Sequence, residues 1–246
     1  ELLQKNFAGF ATNSGIIWAQ PTTKAYKGFH KGRGWCMLYK DVARLKQQVP
    51  ELDVVSPMIS RWGGFAVCGD KKSQCSVKGL RADYAKVEEP KIYYGRYIND
   101  MDILQKRRVC VLGKKVYKDL FPKGGDPCGS FIRLDSIYYQ VVGVDYNTGN
   151  MSINGRAEES VVMPITLMQQ TYNNGDSIDL VSVTVKKGVT ISSVTNRMRE
   201  VIARAHIIDP TDESAVKVFN TEVLFGMLDS LFKGVNFLVW LVGIGT

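Results

Sequence analysis

Apolar and polar residues alternate with a period of two over residues 180–186 (LVSVTVK), the signature of a half-buried strand. Over residues 191–205 the spacing changes to a helical one, with Val194, Met198, Val201 and Ile202 on one side. Residues 216–220 alternate again, so this stretch reads strand–helix–strand. A matching unit lies near the start. It has a strand at 16–20, a helix over 40–48 with Val42, Leu45 and Val49 on one face, and a strand at 54–62 ended by Gly63-Gly64. Between the units the pattern shortens to brief strands and turns. A strand at 108–112 passes through Gly113 into a helix over 114–120, which Pro122 stops because its ring cannot continue the hydrogen-bond ladder. Gly124, Gly125, Asp126, Pro127 and Gly129 turn the chain. Segments 131–134 and 138–144 then alternate as two strands paired through Asp135-Ser136.

Two strand–helix–strand units can share one sheet through right-handed crossovers, leaving the middle of the chain as a second lobe. The expected class is α+β. Residues 1–62 and 175–222 would form one subdomain of two βαβ-type units, and residues 63–174 an inserted, mostly-β subdomain.

The pattern changes again from residue 223. The segment VLFGMLDSLFKGVNFLVWLVGIGT carries only Asp229 and Lys233, and its last 13 residues hold no charge. A helix that crosses a bilayer needs about 20 apolar residues, so residues 223–246 read as a helix leading into a truncated transmembrane segment. A buried core helix would need cover on every face.

Composition adds little to this. A hydrophobic share of 45% and a charged share of 23% are those of a folded protein of 246 residues, not of a disordered one. The net charge of +8 is more telling, because residues 1–50 hold 8 Lys/Arg against 2 Asp/Glu. The densest basic stretch is residues 24–35, KAYKGFHKGRGW, where Lys24, Lys27, Lys31 and Arg33 alternate with aromatic residues. Cations between flat rings are what a nucleic-acid groove needs, so a soluble nucleic-acid-binding protein is the alternative reading. A solvated, mobile, glycine-punctuated loop and a contact with anionic headgroups or a partner are the others.

Catalytic candidates are sparse. His30 and His206 have no nucleophile or carboxylate at motif spacing, and no phosphate loop, GxSxG elbow or HExxH pair occurs. The expectation is no enzyme, no cofactor and no metal, with a secreted enzyme of unrecognised site as a second rival.

One ordered set of motifs goes further. The helix over 114–120, its Leu120-Phe121-Pro122 stop, the Gly125-Asp126-Pro127-Cys128-Gly129 turn and two strands ending in VVGV, with Gly143, resemble the extracytoplasmic domain of MacB/FtsX-type ABC-transporter permeases. Gly95-Arg96-Tyr97-Ile98 is similar to that family's GRxF element, and residues 161–164 with Thr166 to its V-x-x-P-x-T element, which contains Pro164. Gly113 joins this set at the strand–helix junction. Departures are Cys128, where an aliphatic residue is usual, and the Tyr138-Tyr139 pair. The resemblance implies a "porter"-like subdomain built from both chain ends and an outer domain between the first two of four membrane helices. It further implies a second permease copy as dimer partner, a separate cytosolic ATPase, and a periplasmic adaptor or other envelope protein as contact. The place would be the cell inner membrane with this domain in the periplasm, attached at Glu1 and near Phe232, and no nucleic acid bound. The implied work is mechanotransmission, relaying ATP-driven closure outward.

Five cysteines show no metal-site spacing. Cys68 and Cys75 flank GDKKSQ in an apparent hairpin, where they would either form a disulfide, which the implied oxidising compartment permits, or remain free small hydrophobes.

Overall fold

A computed structural model describes residues 9–244, with side chains through Val242, so Glu1 lies outside the described residues. In chain order come β1 (Ser14–Ala19), β2 (Met37–Leu38), α1 (Lys40–Gln48), β3 (Leu52–Cys68), β4 (Lys71–Leu80), β5 (Ile92–Gly95) and α2 (Asp100–Leu104). The middle holds β6 (Val109–Gly113), α3 (Lys114–Leu120), β7 (Phe131–Leu134), β8 (Ile137–Asp145), β9 (Ser160–Pro164) and α4 (Ile165–Thr171). The chain then forms β10 (Ser177–Ile178), β11 (Leu180–Val185), α5 (Ile191–His206), β12 (Val216–Asn220) and α6 (Thr221–Ile244). The protein is α+β.

Strands from the two ends of the chain interleave. The order is β12, β1, β11 and the first part of β3, and every neighbouring pair is antiparallel. Helices α1 and α5 cover one face of this sheet, because Val42, Leu45, Val194, Met198 and Ile202 fall on their inner sides and are buried against Ile17, Val181 and Val183. On the other face Ile16, Met58 and Leu180 pack with Tyr84, Ile98 and Ile153 from the middle of the chain.

Strand β3 does not end at Gly63-Gly64 as the glycines suggest. Arg61 pairs with Val77 and Gly64 with Cys75, so β3 carries one residue more than β4 at this point, a β-bulge with Gly63 at φ +73°. The extra residue changes which positions face inward. Ile59 is buried before the bulge and Ala66 after it, leaving Phe65 outside.

Beyond the bulge the strands close on themselves. Strand β3 pairs with β4, β4 with β9, β9 with β6, β6 with β8, β8 with β7, and β7 returns to β3. The interior of this six-stranded ring is apolar, with Ala66, Val77, Leu112, Ile132, Tyr139 and Val161 all buried. Helix α3 leaves the end of β6 and α4 the end of antiparallel β9, so they lie toward opposite ends of the ring. The β7–β8 turn forms at Asp135-Ser136 as expected, with positive φ at both residues (47° and 69°).

Two glycines of the motif set are required by close approach. A Cβ on Gly143 would lie inside contact distance of the Arg96 carbonyl oxygen, and one on Gly113 would sit 2.6 Å from that of Glu158. In both cases the obstacle is backbone, which cannot swing aside. Gly143→Ala should therefore lower unfolding free energy by roughly 2–4 kcal/mol in a urea melt. Gly34→Ala, where a Cβ meets nothing within 4 Å, should leave it nearly unchanged.

Candidate functional site

Most of the motif residues lie along β8 and toward its C-terminal end, with Pro164 at the other end of the ring, and they build framework. Arg96 makes two bonds to Asp102, Nη1–Oδ2 at 2.6 Å and Nη2–Oδ1 at 3.1 Å, and donates to the Tyr97 carbonyl. Asp102 is fully buried and also closes a reciprocal cap with Asn99 on α2. Burial pushes its carboxyl up, but the Arg96 bonds prevail and hold it below the usual carboxylate range. Asp126 accepts from the Cys128 amide at 2.9 Å, Pro127 is buried behind that turn, and the Gly129 amide donates to Val141. Gly95 has φ +67° and abuts Cys128, so the unusual cysteine fills the space this glycine leaves. Leu120 is buried in the ring core, Phe121 stacks on Tyr117, and Pro164 ends β9 opposite Leu80.

The basic stretch is a docked hairpin, not a mobile loop. Tyr26 and Phe29 exchange backbone hydrogen bonds, and Thr22 bonds Gly32 and Arg33. The Asp212 carboxylate accepts from the Thr23 and Lys24 amides (2.7 and 3.0 Å) and the Thr23 hydroxyl (2.6 Å). Burial pushes Asp212 up, yet these bonds hold it below its ordinary value. Lys24 donates to Thr211, and Arg33 to the carbonyls of His206 and Ile207 at the end of α5. Lys27 and Lys31 remain exposed at the tip. The hairpin follows the end of β1 that pairs with the start of β12, whereas α6 leaves the opposite end of β12, so this patch sits far from the apolar helix. Beside it, His206 Nε2 lies 2.7 Å from fully buried Asp41, joining α5 to α1. Neither that pair nor the Asp212 cluster leaves a local sequence pattern, because the partners lie 165 and 189 residues apart in the chain.

A second polar cluster is largely buried. A cavity of about 20 Å³, room for about one water, lies between Lys78, Tyr84, Glu88, Tyr97 and Asp145. Lys78 Nζ donates to Gly155 O at 2.8 Å and Ser152 Oγ at 3.2 Å. Glu88 accepts from Tyr84 at 2.9 Å and Ser152 at 3.1 Å. Burial pushes Lys78 down to about 8, opposed by the Glu88 and Asp145 carboxylates, while burial raises Glu88. These groups tie the segment between β8 and β9 to β4.

The third feature is the root of α6, which continues directly from β12. Thr221 is fully buried, donates to the Ser14 carbonyl at 2.6 Å and accepts from the Ser14 amide at 3.1 Å. The Glu222 carboxylate accepts from the Ile191 amide at 3.0 Å, at the first residue of α5. The helix is long and apolar enough to cross a membrane over Thr221–Val242, and its most apolar 18-residue window has no buried residue.

Cys68 and Cys75 are free thiols. Cys68 pairs with Lys71 and Gly64 with Cys75, so the two stand four residue pairs apart, about 13 Å along the ladder and beyond disulfide reach. Among the described residues no group of three or more His, Cys, Asp or Glu could hold a metal ion.

The model of the MacB-like periplasmic core domain family matches residues 2–201. A macrolide export ATP-binding/permease protein MacB from Rhodospirillum rubrum is 24% identical over 168 residues, covering 68% of this chain and 25% of the relative. The chain thus spans about a quarter of that protein's length. Among solved structures, the periplasmic region of MacB from Actinobacillus actinomycetemcomitans aligns with a TM-score of 0.71 at 18% identity, over 93% of this chain and 98% of that one. The extracellular domain of the ABC-type transporter YknZ from Gram-positive bacteria aligns with a TM-score of 0.67 at 19% identity, over 85% of this chain and all of that one (100%).

Two outcomes follow from the polar clusters. An unfolded lysine keeps its proton to about pH 10.4, so from about pH 8 upward the unfolded state binds more protons at Lys78 than the folded one. Stability contributed by Lys78 should rise from pH 8 to 9.5 and be flat below, and Lys78→Met should remove that rise in thermal melts. Above pH 10 buried Tyr84 and partly buried Tyr97, both held well above their ordinary value, act in the opposite sense. Asp212→Ala should speed hydrogen exchange of the Thr23 and Lys24 amides while leaving β1 protected.

Proposed function

This chain belongs to the MacB-like periplasmic core domain family, and on that premise we propose that it relays ATP-driven conformational change from an ABC-transporter permease to a periplasmic partner or substrate. The extracytoplasmic placement is that of the family. In this reading β1, α1, the first part of β3, β11, α5 and β12 form the porter-like lobe, and the ring is the inserted one, with boundaries near 62 and 175. Helix α6 enters the cell inner membrane. The permease works as two copies, with ATP hydrolysed by a cytosolic ATPase and the outer end meeting an adaptor or another envelope protein. The chain itself catalyses nothing. Efflux, as the name of the MacB relative indicates for that protein, and export of lipoproteins or envelope components are the activities this work would serve.

The observation that carries the reading is the root of α6. A relay needs stiff attachment, and here a membrane-length helix issues from a sheet strand with no intervening loop. Thr221 binds it to β1, and Glu222 binds it to α5. Displacement of α6 is therefore transmitted to three elements at once. The exposed Lys27 and Lys31, at the far end of the same lobe, suit contact with an acidic partner surface rather than with headgroups beside the membrane. The nucleic-acid alternative is not favoured, since Lys24 and Arg33 are engaged in internal bonds.

A flexible Gly-Ser segment inserted between Asp229 and Gly234 in the full transporter should leave ATP hydrolysis intact and abolish transport. Transport at full rate after that insertion would make the domain a passive docking module.

A further inference from the structure

The outward face of the ring around β7 serves neither the root of α6 nor the hairpin. Strand alternation turns Phe65 of β3, Phe131 and Arg133 of β7 and Tyr138 of β8 to this side, while Ala66 and Tyr139 point into the core. Phe65, Phe131 and Tyr138 are 43%, 57% and 60% exposed. Lys72, Val67, Arg133 and Tyr138 are directly paired, each with the next, and form one row across four strands. Phe65 and Phe131 flank that row on opposite sides, about 13 Å apart along the strands. Lys72 Nζ stands 3.8 Å from the centre of the Phe65 ring. The neighbouring carboxylates are occupied elsewhere, Asp70 by Lys71 and Asp135 by Arg61 and Tyr172, so Lys72 and Arg133 stand without an acidic partner among the described residues.

Three exposed aromatic rings on the outside of a closed ring are an uncovered apolar surface, and this one is interleaved with free cations. Its complement presents flat, weakly polar faces at intervals and carries negative charge between them. Sugar rings bearing carboxylates have that form, and small β-barrels use a strand face for oligosaccharides. Nucleic acid shares the chemistry but not the compartment. A second copy docking face to face would bring Lys72 and Arg133 against their own kind, which like-charge repulsion opposes. We propose that this face binds an acidic polysaccharide of the cell envelope, the aromatic rings stacking on sugar faces and Lys72 and Arg133 meeting the carboxylates.

The proposal rests on the extracytoplasmic placement of the domain and not on the relay. The test uses the whole chain in detergent micelles, with a hyaluronan hexasaccharide as acidic probe and chitohexaose as its neutral counterpart, followed by calorimetry. The acidic probe should bind and the neutral one bind at least about tenfold more weakly, with affinity falling as salt rises. Lys72→Ser with Arg133→Ser should weaken the acidic probe about tenfold. Phe131→Ser with Tyr138→Ser should abolish binding without lowering the melting temperature, since both side chains are exposed. No binding of the acidic probe, equal binding of both probes, or binding indifferent to these substitutions would overturn the proposal. So would a dimer in sedimentation that Phe131→Ser dissolves, which would make the face a contact between copies. None of these outcomes bears on the Gly-Ser insertion, which judges the relay by transport.

Discussion

One strand, β3, holds the molecule together. Its first part is hydrogen-bonded to β11 through Met58 and its second part to β4 from Ile59, so the interleaved sheet and the closed ring share a single continuous backbone. Strand register is all-or-none, because a slip of one residue exchanges the buried and exposed faces. The bulge at Trp62-Gly63 is what lets one strand satisfy both partners. It re-aims the even-numbered positions inward, so that Ala66 reaches the ring interior while Val55 and Ile59 remain in the core beneath α1. Hinge motion between the two parts would have to bend a paired strand, which makes motion of the whole as one body the lower-energy response.

Polar groups secure what the apolar core leaves loose. The segment between β8 and β9 has little regular structure, and Lys78 and Glu88 hold it by hydrogen bonds from beneath. Burying an ammonium is costly, and only neighbouring carboxylates and carbonyl acceptors make it tolerable. At the other extremity Asp212 and Asp41 play a similar part. Each is an acceptor on which several donors converge, one gathering the hairpin and the other joining the start of α1 to the end of α5.

Local periodicity exposed the elements well. Helix α3 fell where Gly113 and Pro122 bracket it, and β11, α5 and β12 where period two gives way to helical spacing and returns. What adjacency in sequence does not encode is which distant element covers a face. Lys78 alternates outward from the ring, and the segment leading to β9 folds over it. The ring closure rests on two residue pairs between β3 and β7, too few to leave a pattern. Gly63-Gly64 reads as a stop because glycine commonly ends strands, whereas an antiparallel ladder can absorb it as a bulge. The Cys68–Cys75 pairing failed on register alone, since a turn at Gly69-Asp70 sets Cys68 opposite Lys71. The motif residues show through resemblance, and the structure supplies their reason as backbone contact at Gly113 and Gly143 and the ion pair of Arg96 with buried Asp102.

The bond between Ser14 and Thr221 has a consequence for how such a protein could arise. Where the strand leading into a domain and the helix leading out are stitched side by side, the remainder is a closed excursion. A host chain can accept it between two of its own helices without spreading them, because bringing the ends together costs the host no loop-closure entropy. Loss of the excursion would be equally painless to the host, since a short link could span the gap. The seam of such a cassette would be the place where Ser14 and Thr221 are joined by hydrogen bonds.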